Sequence, residues 1–182
     1  MPDTDLAAGY LATAAELLSN YSATESQTDL RKSISCAYYA VFHGLACEAA
    51  NVLIGLPIEG RSNRAWVEVY RGLEHGLCKD ACKKAKKIRF PDGILDFSIS
   101  FVYLQDARQR ADYDPLFRCT VNDARFCLTI AQQAINALSS VDDYDKRAFV
   151  TFVLITSKGA QNARSIHKNG IVRHLELPKQ EK

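Results

Sequence analysis

The sequence predicts an all-α protein, an up-and-down helical bundle. Three observations carry that expectation. Apolar residues recur at steps of three and four along most of the chain. Residues 31–50, RKSISCAYYAVFHGLACEAA, are apolar on nearly every side, so this helix has to be enclosed by its own bundle or by a partner. A β-branched and aromatic run near residue 150 has no second strand to pair with.

Taken in order, Asp3–Asn20 places Leu6, Tyr10, Ala14 and Leu17 at helical spacing, with Leu11 and Leu18 adjoining. Tyr21–Asp29 is polar and reads as a loop, with Thr28 or Asp29 capping the next helix. That helix, Leu30–Leu53, carries one stripe of Ile34, Tyr38, Val41, Leu45 and Val52, interrupted by Glu48. Its other side shows Cys36, Tyr39, His43, Cys47 and Ala50 in place of a solvated face. Small residues at Ala40, Gly44, Ala46 and Cys47 permit close helix approach, which puts this helix at the centre of the bundle. Gly55, Pro57 and Gly60 then break the chain. Asn63–Cys82 reads as one helix bearing Trp66, Val69, Tyr70, Leu73 and Leu77, and runs on into KDACKKAKKIRF.

Phe90-Pro91-Asp92-Gly93 is a turn, and Ile94–Asp112 is the next helix, ended by Asp114-Pro115. Val121–Leu138 follows, with Ala124, Leu128, Ala131 and Ile135 on one stripe and Thr120 or Asn122 as cap. Asp142–Thr156 is read as a short buried helix in preference to a strand, because it follows a charged run with no turn. From Lys158 the chain is polar and basic, with Ile171, Val172 and Leu175 as its few anchors. The expected organisation is a bundle over 1–140 and, over 141–182, a short buried segment with a basic, weakly anchored C-terminal extension.

A chain of 182 residues suits one domain. Hydrophobic residues at 47% and charged residues at 24% are ordinary for a globular protein. A net charge of +2 favours no class of partner, so any binding argument has to rest on local clusters. None of the six cysteines forms a Cys-x-x-Cys pair. His75, Cys78 and Cys82 fall at helical spacing, but a zinc site needs a fourth ligand that the sequence does not offer. No metal and no cofactor are therefore expected, and the thiols read as reduced residues of a cytoplasmic protein. No secretory start and no apolar run of about 18 residues stand out, so no membrane association is expected. Phosphate-binding glycine loops, dinucleotide fingerprints and the common hydrolase motifs are absent.

Three clusters remain. The first is RQRADYDP, 108–115, where Arg108 with Asp112 and Arg110 with Asp114 stand four apart. Arginine before aspartate is the poorer order. Aspartates in a last turn also face the negative end of the helix dipole, at a cost of roughly 0.3–1 kcal/mol. Something has to offset this. Either Asp112 accepts hydrogen bonds from another helix or caps the Thr120 loop, or the arginines grip phosphate while Asp112 and Tyr113 orient a hydroxyl. The second cluster is Tyr38, Tyr39 and His43, which suit a satisfied core or an interface; in a symmetric dimer the two copies of His43 would approach each other. The third is the basic run Lys79, Lys83, Lys84, Lys86, Lys87 and Arg89, with one acid. It is either a solvated face or a salt-dependent surface for phosphates. With Phe90 its sole aromatic neighbour, it gives no sign of base stacking. A smaller polar group, Arg71, Glu74 and His75, stands beside Trp66 and Tyr70 without a second motif to support it.

Ala37-Tyr-Tyr-Ala-Val-Phe-His43 and the Arg-x-x-Ala-Asp-Tyr element at 108–113 resemble the HEPN superfamily of RNA-associated helical domains, over roughly 3–140. The resemblance implies an up-and-down bundle that dimerises through central helices and serves toxin–antitoxin, phage-defence or RNA-processing systems. Ribonuclease members follow the arginine, a little over one turn later, with a histidine. Here Tyr113 and Asp114 stand at that place, and Arg71 and His75 lie on another helix with only three residues between them. The implied protein is thus an RNA-associated homodimer. Arg108, Asp112 and Tyr113 would form an atypical ribonuclease site, and Arg108, Arg110 and the basic run would meet phosphates. Tyr38, Tyr39 and His43 would lie at the interface. The alternative is a non-catalytic module that pairs with a nucleotidyltransferase or an antitoxin.

Overall fold

The computed structural model describes residues 4–56 and 60–155. They form seven helices and, among the described residues, no strand: α1 Leu6–Thr24, α2 Gln27–Ile54, α3 Asn63–Arg71, α4 His75–Ile88, α5 Asp92–Tyr113, α6 Val121–Ser140 and α7 Asp143–Leu154. The all-α bundle expected from the periodicity is the architecture found. Pro57 and every expectation from Lys158 onward lie outside the described residues.

The loop expected over Tyr21–Asp29 shrinks to Glu25 and Ser26. Glu25 turns through the left-handed region at φ 51°, and Ser26, not Thr28 or Asp29, caps α2 by accepting from the Asp29 amide at 3.3 Å. The next residue explains the early start. Gln27 donates to the Cys119 carbonyl at 2.9 Å and accepts from the Cys119 amide at 3.0 Å, which ties the first turn of α2 to the α5–α6 connection.

α2 is the spine. It packs against α1, α3, α5, α6 and α7, and Leu30, Ile34, Tyr38, Val41 and Leu45 are buried along it. By length and composition this helix is apolar enough to cross a membrane, contrary to the expectation of no such run. Yet 56% of its most apolar window is buried inside the chain, as in a core helix. Gly44 lets α6 approach: a Cβ there would meet Ile135 Cγ1 at 3.3 Å. Glu48, which interrupts the apolar stripe, takes the buried Lys146 of α7 at 3.2 Å, and Lys146 also reaches Asp143 at 3.2 Å.

The single helix expected over Asn63–Cys82 is two. α3 stops at Gly72, Leu73 turns in to be buried, and α4 restarts at His75. α4 presents Cys78, Ala81, Cys82 and Ala85 to the core and its lysines outward. α6 carries a reciprocal capping box between Thr120 and Asp123. α7 is a helix, as preferred over a strand. Asp142 caps it with bonds from the Tyr144 and Asp145 amides at 2.8 and 3.0 Å, and Phe149, Val150 and Val153 join the same core as α2 and α5.

Candidate functional site

The last turns of α5 deliver Arg108 to the flank of α2. Its Nε stands 2.8 Å from Asp112 Oδ2. One terminal nitrogen donates to the Tyr39 hydroxyl at 2.9 Å and to the Tyr113 hydroxyl at 3.3 Å. The guanidinium also lies over both rings, 5.5 Å from Tyr39 and 5.1 Å from Tyr113. Burial works against the charge, but the surrounding Tyr39, Asp112 and Tyr113 oxygens outweigh it and leave Arg108 a stronger base than usual. The guanidinium is thus held by one carboxylate and two tyrosines, with 21% of its side chain exposed.

Asp112 shows how one of the two acids tolerates the wrong end of a helix dipole. Its carboxylate accepts from Ser35 Oγ at 2.6 Å and pairs with Lys32 at 3.3 Å, both from α2, besides Arg108. Hydrogen bonds from another helix are one of the offsets the sequence suggested; Thr120 takes no part and is paired with Asp123. With its side chain 10% exposed and three donors around it, Asp112 is an anchor.

Arg108 and Arg110 do not form one clamp. Two residues apart on a helix, they diverge by about 200°. Arg110 lies over the Phe117 ring at 5.6 Å, a ring that Arg31 also covers at 5.9 Å. Arg31 donates to the Asp114 and Phe117 carbonyls and so pins the turn after α5. The expected Arg110–Asp114 pairing gives way to a turn in which Asp114 accepts from the Leu116 amide at 2.9 Å. The backbone leaves the helix at Asp114, and its carboxylate leaves the Arg110 face with it.

An aromatic wall adjoins Arg108. Tyr38, expected at an interface, is 1% exposed and has no surface to offer a second copy; its hydroxyl bonds His75 Nδ1 at 2.6 Å. His75 packs on Phe42 at 3.9 Å and stands edge-on to Tyr39 at 6.2 Å. Tyr39 and His43 are half-buried. His43 Nδ1 bonds the Tyr70 hydroxyl at 2.7 Å, and Tyr10 of α1 stacks on the His43 ring at 5.1 Å, 2° from parallel. Burial and the positive Arg108 push the His75 pKa down; burial and His75 do the same to His43. Both imidazoles are held toward their neutral forms.

Arg108 and His75 therefore border the same tyrosine, Tyr39, from two different helices. Sequence spacing sets His75 beside Tyr70 but gives no weight to its pairing with Arg108, nor to Tyr10 as a partner of His43. The signal that would have placed His75 is the break at Gly72–Glu74, which swings the start of α4 toward α2 and α5.

Within the basic run, Lys79 is committed to an ion pair with Asp106 and is only 16% exposed. Lys83, Lys84, Lys86, Lys87 and Arg89 are exposed, and Arg89 ends α4 in the left-handed region at φ 67°. Asp106 stands two residues before Arg108 and so about 200° round α5 from it; Lys79 therefore meets α5 on the side of Gln109, Tyr113 and Asp114. The buried thiols stand apart from this chemistry: burial pushes Cys78, Cys82 and Cys127 up to about 12 and Cys119 up to about 11. Among the described residues no three His, Cys, Asp or Glu side chains converge as a metal site. Compared with known proteins, the chain matches no family model, no curated relative and no solved structure.

Proposed function

We propose that this chain is an RNA-associated, HEPN-like protein that engages a phosphate at Arg108 and extends the contact along the basic face of α4. The observation that carries the reading is Arg108 itself: a guanidinium held against Asp112, Tyr39 and Tyr113 with 21% of its side chain exposed. His75 adds a near-neutral imidazole at the same tyrosine. Tyr38 engages its Nδ1, which leaves Nε2 for a ligand. Lys83, Lys84, Lys86 and Lys87 supply phosphate contacts of low sequence specificity. Asp112 serves by positioning Arg108.

The test incubates the purified full chain with total RNA, with and without EDTA, beside Arg108→Ala. The expected result is RNA binding that weakens steeply with salt and is lost in the variant. Cleavage that persists in EDTA and disappears in both Arg108→Ala and His75→Gln would add catalysis to binding. Absence of binding at low salt would overturn the reading in favour of a module that pairs with a protein such as a nucleotidyltransferase.

A further inference from the structure

We propose that the hollow beside Tyr113 is a nucleobase subsite, which makes unpaired RNA the ligand of the Arg108 site; the inference rests on the RNA reading above. Tyr113 is 70% exposed, yet it is not loose. Arg108 backs one face of its ring at 5.1 Å, and the hydroxyl accepts from the same guanidinium at 3.3 Å. Beside Tyr113, Asp106, Gln109, Arg110 and Asp114 surround an open hollow of about 490 Å³ on successive turns of α5 and at its end.

The rim has the groups a base edge requires. Gln109 can both donate and accept, Arg110 donates, and Asp114 accepts. Asp106 also accepts, though it is held by Lys79. An exposed, immobilised ring next to such a rim offers a stacking surface to any base, since every base has a π-face. A base inside a duplex has both faces covered by its neighbours, so only an unstacked one fits. Arg108 adjoins the ring, and the phosphate and base of one nucleotide then address neighbouring groups. The aromatic contact that the basic run lacks is thus supplied from the end of α5.

The experiment measures fluorescence anisotropy of the full chain with a labelled single-stranded RNA of mixed sequence and with the same strand in a duplex. Wild type is compared with Tyr113→Leu and Tyr113→Phe, with helix content checked by circular dichroism. The expected result is preference for the single strand, about tenfold weaker single-strand binding in Tyr113→Leu, and a clearly smaller loss in Tyr113→Phe, which keeps the ring but not the hydroxyl bonded to Arg108. Equal affinity for both RNAs, or no effect of Tyr113→Leu while binding stays salt-dependent, overturns the subsite and leaves the RNA reading standing. Binding of neither RNA overturns the RNA reading and this inference with it.

Discussion

The Arg108 site and the outer face of α4 are two cationic surfaces built in opposite ways. At Arg108 a single guanidinium is held by Asp112, Tyr39 and Tyr113, and Asp112 is itself held by Ser35 and Lys32. On α4, Lys83, Lys84, Lys86, Lys87 and Arg89 stand exposed on long stems. An arginine side chain carries about 2 kcal/mol of rotamer entropy, and at Arg108 much of that freedom is already lost on folding. The lysines keep theirs and would lose it on contact. On the proposed RNA reading, the first surface would place a phosphate and the second would attract one.

The contrast predicts its largest effect at Asp112. Removing the carboxylate in Asp112→Ala leaves Arg108, Lys32 and the buried Ser35 hydroxyl without their common acceptor. The expected loss is about 2–4 kcal/mol, the range for orphaning partly buried, charge-assisted partners. Urea unfolding reads this as a lower midpoint at unchanged slope. Asp112→Asn, which keeps an acceptor for Ser35, should recover part of it. A loss no larger than about 0.5 kcal/mol, as for an ordinary surface change, would mean that the Arg108 site is as loosely held as α4.

That anchor also shows what local sequence conveys and what it does not. Arg108 and Asp112 are legible as a pair because helical spacing alone joins them. Ser35, Lys32 and Tyr39 are more than sixty residues away and meet them only through packing. The caps at Thr120 and Asp142 are local chemistry and lie close to where the sequence places helix starts. The break between α3 and α4 is hidden because the apolar period runs through it, from Trp66 and Tyr70 to Leu73 and Leu77. The restart of α4 follows burial of small residues, Ala81 and Ala85, whose hydrophobic signal is weak. With that break goes the position of His75 beside Tyr38 and Tyr39.

Acid should weaken the Arg108 site by a smaller amount. His43 and His75 both have folded pKa values below the ordinary 6.5, through burial first and then His75 or Arg108. Below 6.5 the unfolded chain therefore binds protons that the folded chain resists. Stability falls as pH drops through 6.5 toward the folded values, and the contribution of either imidazole fades within about one unit above 6.5. Melting temperatures measured from about pH 5 to 8 should show this decline. In His43→Gln, which leaves Tyr10 and Tyr70 in place, the decline should be shallower. An unchanged profile in that variant and in His75→Gln would assign the acid sensitivity elsewhere.

The smallest effect on stability belongs to α4, and it separates the two surfaces most clearly. Replacing Lys83, Lys84, Lys86 and Lys87 with glutamine removes solvated charges that make no ion pair among the described residues, so stability should stay within about 0.5 kcal/mol of wild type. RNA binding should respond in a different coordinate. The slope of log affinity against log salt should fall by about 0.7 for each lysine that meets a phosphate of a single strand. Lys79→Gln is the internal control on the same helix. Its ammonium is held by Asp106, so the substitution should leave the salt slope unchanged while releasing a carboxylate at the edge of the Tyr113 hollow. If Lys79→Gln lowers the slope as much as its neighbours do, the boundary between a placed charge and a solvated one does not lie where the ion pairs put it.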